Sequence, residues 1–225
     1  MTEMQNIYIY TIIGGKKLGI TYIKPKKAIY KKAPVYFLTP GGGWKAADRN
    51  GMIDFSRISS DALLEKGFAI VSVEYRLGVK DNVVMSDIIS DCFDALNYIN
   101  YFSDVLNIDM QKIVTSGHSA GAHLALMIAY ANPENFPCSY IAENDYKVVC
   151  TAAMSAPTTL CVEGVPKTLG FLTDDLFVGC NTNSEREKTS PLNYVTDKSP
   201  RTILFAGTKD PLVYHISSQL LTVKH

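Results

Sequence analysis

Residues 113–129 read Ile113-Val114-Thr115-Ser116-Gly117-His118-Ser119-Ala120-Gly121-Ala122-His123-Leu124-Ala125-Leu126-Met127-Ile128-Ala129. The first three are β-branched and suit a strand, whereas the run from Ala122 onward is rich in helix formers and has no breaker. Between them lies the pattern G-x-S-x-G. A strand that turns at once into a helix forces the turning residue into strained backbone, and flanking glycines let the two elements pass closely. The Ser119 hydroxyl would then stand at the carboxyl end of a sheet, beside helix N-terminal amides that favour negative charge. Ser119 is therefore a candidate nucleophile.

Outward from this stretch, periodicity predicts alternating strands and helices. Residues 7–11 and 18–23 flank Gly14-Gly15-Lys16-Lys17 as an antiparallel hairpin. Short apolar runs at 35–38, 68–73, 148–154 and 201–206 read as strands. Helices are expected over 59–66, 87–102, 122–129 and 216–223. Residues 155–200 have weak periodicity and carry seven prolines and glycines, and read as an irregular excursion over the sheet with one or two short helices around Thr168 to Phe177. The expectation is one α/β domain over 1–225, with a mostly parallel sheet and helices on both faces. In such sheets sites form beyond the carboxyl ends of the strands. There Pro40-Gly41-Gly42-Gly43-Trp44, Ser119 and Gly207-Thr208-Lys209-Asp210 would meet.

Composition limits the function class. Basic and acidic residues balance at 22 each, so bulk charge favours neither nucleic acid nor an anionic membrane. Met1–Asn6 lacks a basic start and an apolar run, and no segment is apolar enough to span a bilayer, so a cytoplasmic location is expected. Cys92, Cys138, Cys150, Cys161 and Cys180 are scattered and odd in number, which argues for reduced thiols, with Cys92 and Cys150 in the core, and against a metal site. The basic stretch Lys24–Lys32 reads as a solvated linker.

The chain resembles α/β-hydrolases of the carboxylesterase group related to hormone-sensitive lipase and to feruloyl- and acetyl-esterase-like enzymes. The resemblance rests on Pro40–Trp44, Glu74-Tyr75-Arg76-Leu77, Asn107-Ile108-Asp109, Gly117–Gly121 with His123-Leu124-Ala125, Ser190-Pro191-Leu192 and Gly207–Val213. It implies a serine hydrolase of small carboxylic esters that works through an acyl-enzyme and needs no cofactor. Ser119 would attack, the amides of Gly42, Gly43 and Ala120 would form the oxyanion hole, and Asp210 would be the acid that orients a histidine. Asp174 and Asp175 are weaker candidates for that acid. Pro40 stands where the family has a loop-bracing histidine, and Glu74 where it has aspartate.

The histidines fit the family pattern poorly. His118 should point away from its neighbour Ser119, and His123 reads as a packed helix residue. His215 opens the last helix nearest the site and is a weak candidate base, and that helix carries His225, a weaker one, about 13 Å from the catalytic edge. The family base lies beyond a further strand. The sequence thus reads as ending before its last strand and triad histidine, which predicts an exposed edge at 201–206 and impaired turnover. Two alternatives stay open: a non-catalytic hydrolase-fold protein that binds a ligand or partner, and an amidase or formamidase. A small-molecule ester partner is expected, and self-association is left open.

Overall fold

Isoleucine and tyrosine alternate along β1 (Gln5–Ile13), which returns antiparallel on β2 (Lys16–Ile23) through Gly14 and Gly15, both at positive φ. The computed structural model describes residues 5–139, 145–161 and 182–224. The remaining described strands are β3 (Ala33–Thr39), β4 (Ala69–Val73), β5 (Ile108–His118), β6 (Val148–Met154) and β7 (Arg201–Phe205). Among the described residues they form one sheet in the order β1-β2-β4-β3-β5-β6-β7. From β4 through β7 all pairs are parallel, and the hairpin joins by the antiparallel β2–β4 pair. β3 and β4 are buried at every position, which is why they read as unbroken apolar runs rather than alternating ones.

Helices cover both faces. On one, α1 (Arg49–Phe55) and α2 (Arg57–Glu65) bring Met52, Ile53 and Leu64 against Ile23, Tyr36, Leu38 and Ile70. The connector α3 (Gly78–Asp81) leads to α4 (Met85–Tyr101), and the short α5 (Ser103–Leu106) follows. α4 buries Ile88, Ile89, Phe93, Leu96 and Ile99 in the larger core, where Leu124 and Met127 of α6 (Ala120–Tyr130) join them. α7 (Asn183–Lys188) and α8 (His215–Lys224) complete the described helices.

The expected elements that fall on described residues are present, with shifted bounds. Where a single helix over 59–66 is expected, α1 precedes it. Asn50 and Gly51 are poor helix formers, but the Asp48 carboxylate accepts the Asn50 N–H at 2.9 Å and burial of Met52 and Ile53 holds the turn. The 155–200 excursion contains α7 and a 3₁₀ turn over Pro191–Tyr194. The helices expected around Thr168 to Phe177 lie outside the described residues. Cys92 is in the core, but Cys150 is only half-buried, because its side of β6 has no described helix over it.

Arg76 is tied to α4. Its guanidinium makes a forked contact with the fully buried Asp91 at 2.8–3.0 Å, and the Asp91 carboxylate also accepts the Arg76 amide. Asp94, one turn on, accepts the Ser139 amide and anchors that loop. Glu74 accepts from the Arg49 guanidinium and from the Gly19 amide, so it joins the loop after β4 to α1 and the hairpin.

Candidate active site

Ser119 closes β5 and opens α6 with φ 55° and ψ −123°, a conformation costly for any residue with a Cβ. The bend persists because its surroundings fix it. The Ser119 amide donates to the Met154 carbonyl at 2.8 Å, and the Ser119 carbonyl accepts the His123 amide as the first turn of α6. Both glycines of the motif are sterically required. A Cβ on Gly117 would stand 2.4 Å from Gly121 backbone, and one on Gly121 only 2.1 Å from the Thr39 carbonyl oxygen. Thr39 closes the contact from its side, donating its hydroxyl to the Gly121 carbonyl at 2.6 Å.

That contact docks the end of β3 on the bend, so the glycine loop starts beside Ser119. Gly41 passes close enough that a Cβ would lie 2.5 Å from the His118 carbonyl oxygen. Gly42 and Gly43 follow at φ 125° and 61°, and the Gly42 carbonyl turns back to accept the amides of Lys45 and Ala46. Among the described residues the amides of Gly42, Gly43 and Ala120 carry no backbone hydrogen bond. Ala120 is in the first turn of α6, where amides lack intrahelical acceptors. Pro40 cannot brace the loop with a side chain; instead the buried Tyr75 hydroxyl donates to the Pro40 carbonyl at 2.6 Å. Tyr75 lies in the Glu74–Leu77 motif, but its tie to Pro40 is a long-range contact that no local pattern encodes.

Trp44 is buried and stands edge-on to the His123 ring, 5.2 Å between centroids. His123 is fully buried, and its Nε2 donates to the Thr189 carbonyl at 2.7 Å. Burial lowers its pKa to about 4, although the Thr189 bond opposes the shift, so the ring is neutral at pH 7. His123 is thus a packed residue, as its helical position suggested.

Asp210 sits in the loop after β7. Partial burial works against its ionisation. The amides of Val213 and Leu212, the Ser155 hydroxyl and the charge of nearby His118 outweigh it and hold the carboxyl below the usual range. Ser155 follows β6 directly, so the Asp210 carboxylate lies at the strand ends beside Met154, whose carbonyl holds Ser119.

His118 turns toward the glycine loop and α1, with its ring 4.9 Å from that of Phe55. The two rings, with Pro40, Gly41, Asp48 and Met52, line a cavity of about 220 Å³. His215 begins α8. Among the described residues, no histidine is hydrogen-bonded to Ser119 or Asp210; Asp174, Asp175 and His225 lie outside them. No group of three or more His, Cys, Asp or Glu among the described residues could hold a metal ion, and no helix among them is long and apolar enough to cross a membrane.

A model of the BD-FAE family matches residues 21–224. An esterase of Gibberella moniliformis is 24% identical over 212 residues, covering 87% of this chain and 62% of its own length. An esterase of Fusarium pseudograminearum is 25% identical over 222 residues, covering 90% of this chain and 64% of that protein. The chain therefore spans less than two thirds of these relatives. Among solved structures, a thermophilic esterase of Thermogutta terrifontis superposes with a TM-score of 0.75 at 22% identity, covering 98% of this chain and 78% of that one. That esterase has also been solved with propionate bound, where the match has a TM-score of 0.74. These superpositions bear on the fold, which is that of the α/β-hydrolases.

Proposed function

This chain belongs to the BD-FAE family, and from that premise we propose that it is built for hydrolysis of small carboxylic esters with Ser119 as nucleophile. The observation that carries the reading is the strained bend at Ser119, locked by Gly121 and Thr39 against the start of the glycine loop. The Ser119 Oγ attacks the ester carbonyl. The oxygen that becomes negative is received by the amides of Gly42, Gly43 and Ala120, which are fixed in direction and have no competing backbone acceptor among the described residues. Collapse expels the alcohol and leaves an acyl-serine, which water then hydrolyses.

The cavity beside Gly41 takes a small acyl or alcohol group. Propionate bound to the Thermogutta esterase supports that size. Asp210, held anionic, stabilises and orients an imidazolium. Among the described residues no imidazole joins Ser119 to Asp210, and in the triad template removal of the base costs several orders of magnitude in turnover. The same observation favours a second reading, a ligand-binding protein that keeps the pocket without the chemistry.

Chemical rescue separates the two. Hydrolysis of short p-nitrophenyl esters is measured with and without added imidazole, for the native chain and for Ser119→Ala. The expected result is a Ser119-dependent rate that rises with imidazole, with an acyl adduct on Ser119 in the mass spectrum. Equal rates in both proteins at every imidazole concentration would overturn the hydrolase reading. Saturable binding of short carboxylates under those conditions would establish the second.

A further inference from the structure

We propose that the segment Lys24–Lys32, between β2 and β3, docks this chain on an anionic lipid surface, with Ile29 and Tyr30 set into the interface and the lysines on the headgroups. The segment reads Lys24-Pro25-Lys26-Lys27-Ala28-Ile29-Tyr30-Lys31-Lys32, five cations in nine residues of a chain whose formal net charge is zero. It lies inside residues 5–139, all of them described, and packs on α2 and α5.

Tertiary contacts hold the segment in one shape. The Lys26 amide donates to the Leu64 carbonyl at 3.0 Å, and the Ala33 amide just past the segment donates to the Asn107 carbonyl at 2.9 Å. Between these ties the chain crosses Gly67, at φ 84°, where a Cβ would stand 2.9 Å from the Ile29 Cβ. Tyr30 meets the Phe68 ring edge-on, 6.5 Å between centroids. The close fit on Gly67 keeps the segment from sinking toward the core, so Ile29 and Tyr30 stay 55% and 44% exposed. Apolar groups already held in place lose little freedom when they enter an apolar phase.

Charge complements such a surface. Lys26 and Lys27 reach Asp61 and Glu65 on α2, and Lys32 reaches Asp104 on α5. Lys24 and Lys31 are exposed and make no ion pair among the described residues. Lys66, which caps α2 beside Gly67, brings the lysines to six against three carboxylates, so the patch keeps an excess of positive charge. Anionic headgroups attract a cluster of that kind. Lysine stems lie along apolar surface while their ammonium groups stay at headgroup level, where tyrosine also sits. The apolar part extends to α5: Ala28 shares a recess of about 220 Å³ with Pro25, Val105 and Leu106, and Val105 is 83% exposed. A polynucleotide would take the lysines but offers no apolar phase to Ile29 and Val105, which is why the patch fits lipid better.

The site faces the other way. β3 and β4 begin at this end, and β5, parallel to β3, runs from it to the bend at Ser119. The length of β3 puts the segment about 20 Å from the glycine loop. Docking therefore leaves the loop and Ser119 turned away from the surface.

Sedimentation of the 225-residue chain with phospholipid vesicles tests the proposal. Binding is expected to vesicles with about 30% phosphatidylserine and not to phosphatidylcholine alone, and it should weaken as salt is raised. Lys24→Glu combined with Lys31→Glu should weaken it at least about tenfold. Ile29→Gln, which changes no charge, should weaken it at least about threefold. The two tests use separate substitutions, so a folding defect in one leaves the other to decide. The same charge reversal at the opposite end, Lys17→Glu with Lys80→Glu, should cost less than about twofold. No binding to the anionic vesicles at low salt overturns the proposal. So does equal binding to both kinds of vesicle, equal loss from the two double variants, or native binding by Ile29→Gln. Retention by a single-stranded oligonucleotide without retention by vesicles assigns the lysines to a nucleic acid and overturns it too. Each of these outcomes is independent of whether Ser119 is a nucleophile.

Discussion

The carbonyl oxygen of Thr39 occupies the space a side chain on Gly121 would need, 2.1 Å from the position of a Cβ, while the Thr39 hydroxyl donates to the Gly121 carbonyl. These residues are 82 positions apart, on β3 and α6. Their contact makes one rigid piece of the bend at Ser119 and the start of the glycine loop. Oxyanion stabilisation needs that rigidity, because donors must be aimed before charge develops.

Gly121→Ala drives a methyl group into backbone on two sides, Thr39 and Pro40. Backbone cannot rotate away as a flexible side chain would. The variant should lose at least about 2 kcal/mol of unfolding free energy in urea titration. Any Ser119-dependent hydrolysis should fall with it.

Tyr75→Phe removes the donor to the Pro40 carbonyl without changing the packing volume much. A buried carbonyl left unpaired costs about 1–2 kcal/mol. Because that bond holds the first residue of the glycine loop, kcat should fall more than KM rises. Urea titration and steady-state kinetics with added imidazole measure the two effects.

Arg76→Met leaves Asp91 buried without its ion-pair partner. Removing one member of a buried pair costs about 3–5 kcal/mol. Replacing both, as in R76M with D91L, should recover most of that loss, because no uncompensated charge remains. Chemical unfolding of the single and double variants gives the comparison.

His123 links folding to pH. Its folded pKa of about 4 lies below the usual histidine value, so the unfolded chain binds a proton that the folded one refuses. The stabilisation is fully present above about pH 6.5 and is lost as pH falls toward 4, by about 3 kcal/mol. His123→Gln keeps an N–H donor for Thr189 but cannot titrate, so its stability should be flatter across that window in pH-dependent urea titrations. Asp210 acts in the same direction at lower pH. Its carboxyl is held below the ordinary range, so its contribution is present above the unfolded carboxyl pKa and is lost as pH falls through the folded one.

Local stereochemistry was enough to read the order of elements, the bend at Ser119, and the placing of Gly42, Gly43, Ala120 and Asp210 at strand ends or helix starts. Strand and helix periods, and the glycines a tight turn demands, are properties of adjacent residues. α1 escaped because Asn50 and Gly51 disfavour helix, and only the Asp48 cap and burial of Met52 and Ile53 sustain it. Tertiary structure alone decided that Thr39 locks Gly121, that Tyr75 braces Pro40, that Asp91 receives Arg76 and that His123 donates to Thr189. Those partners lie 15 to 82 residues apart. Their pairing depends on which surfaces the folded sheet and helices bring together, and no local pattern carries that information.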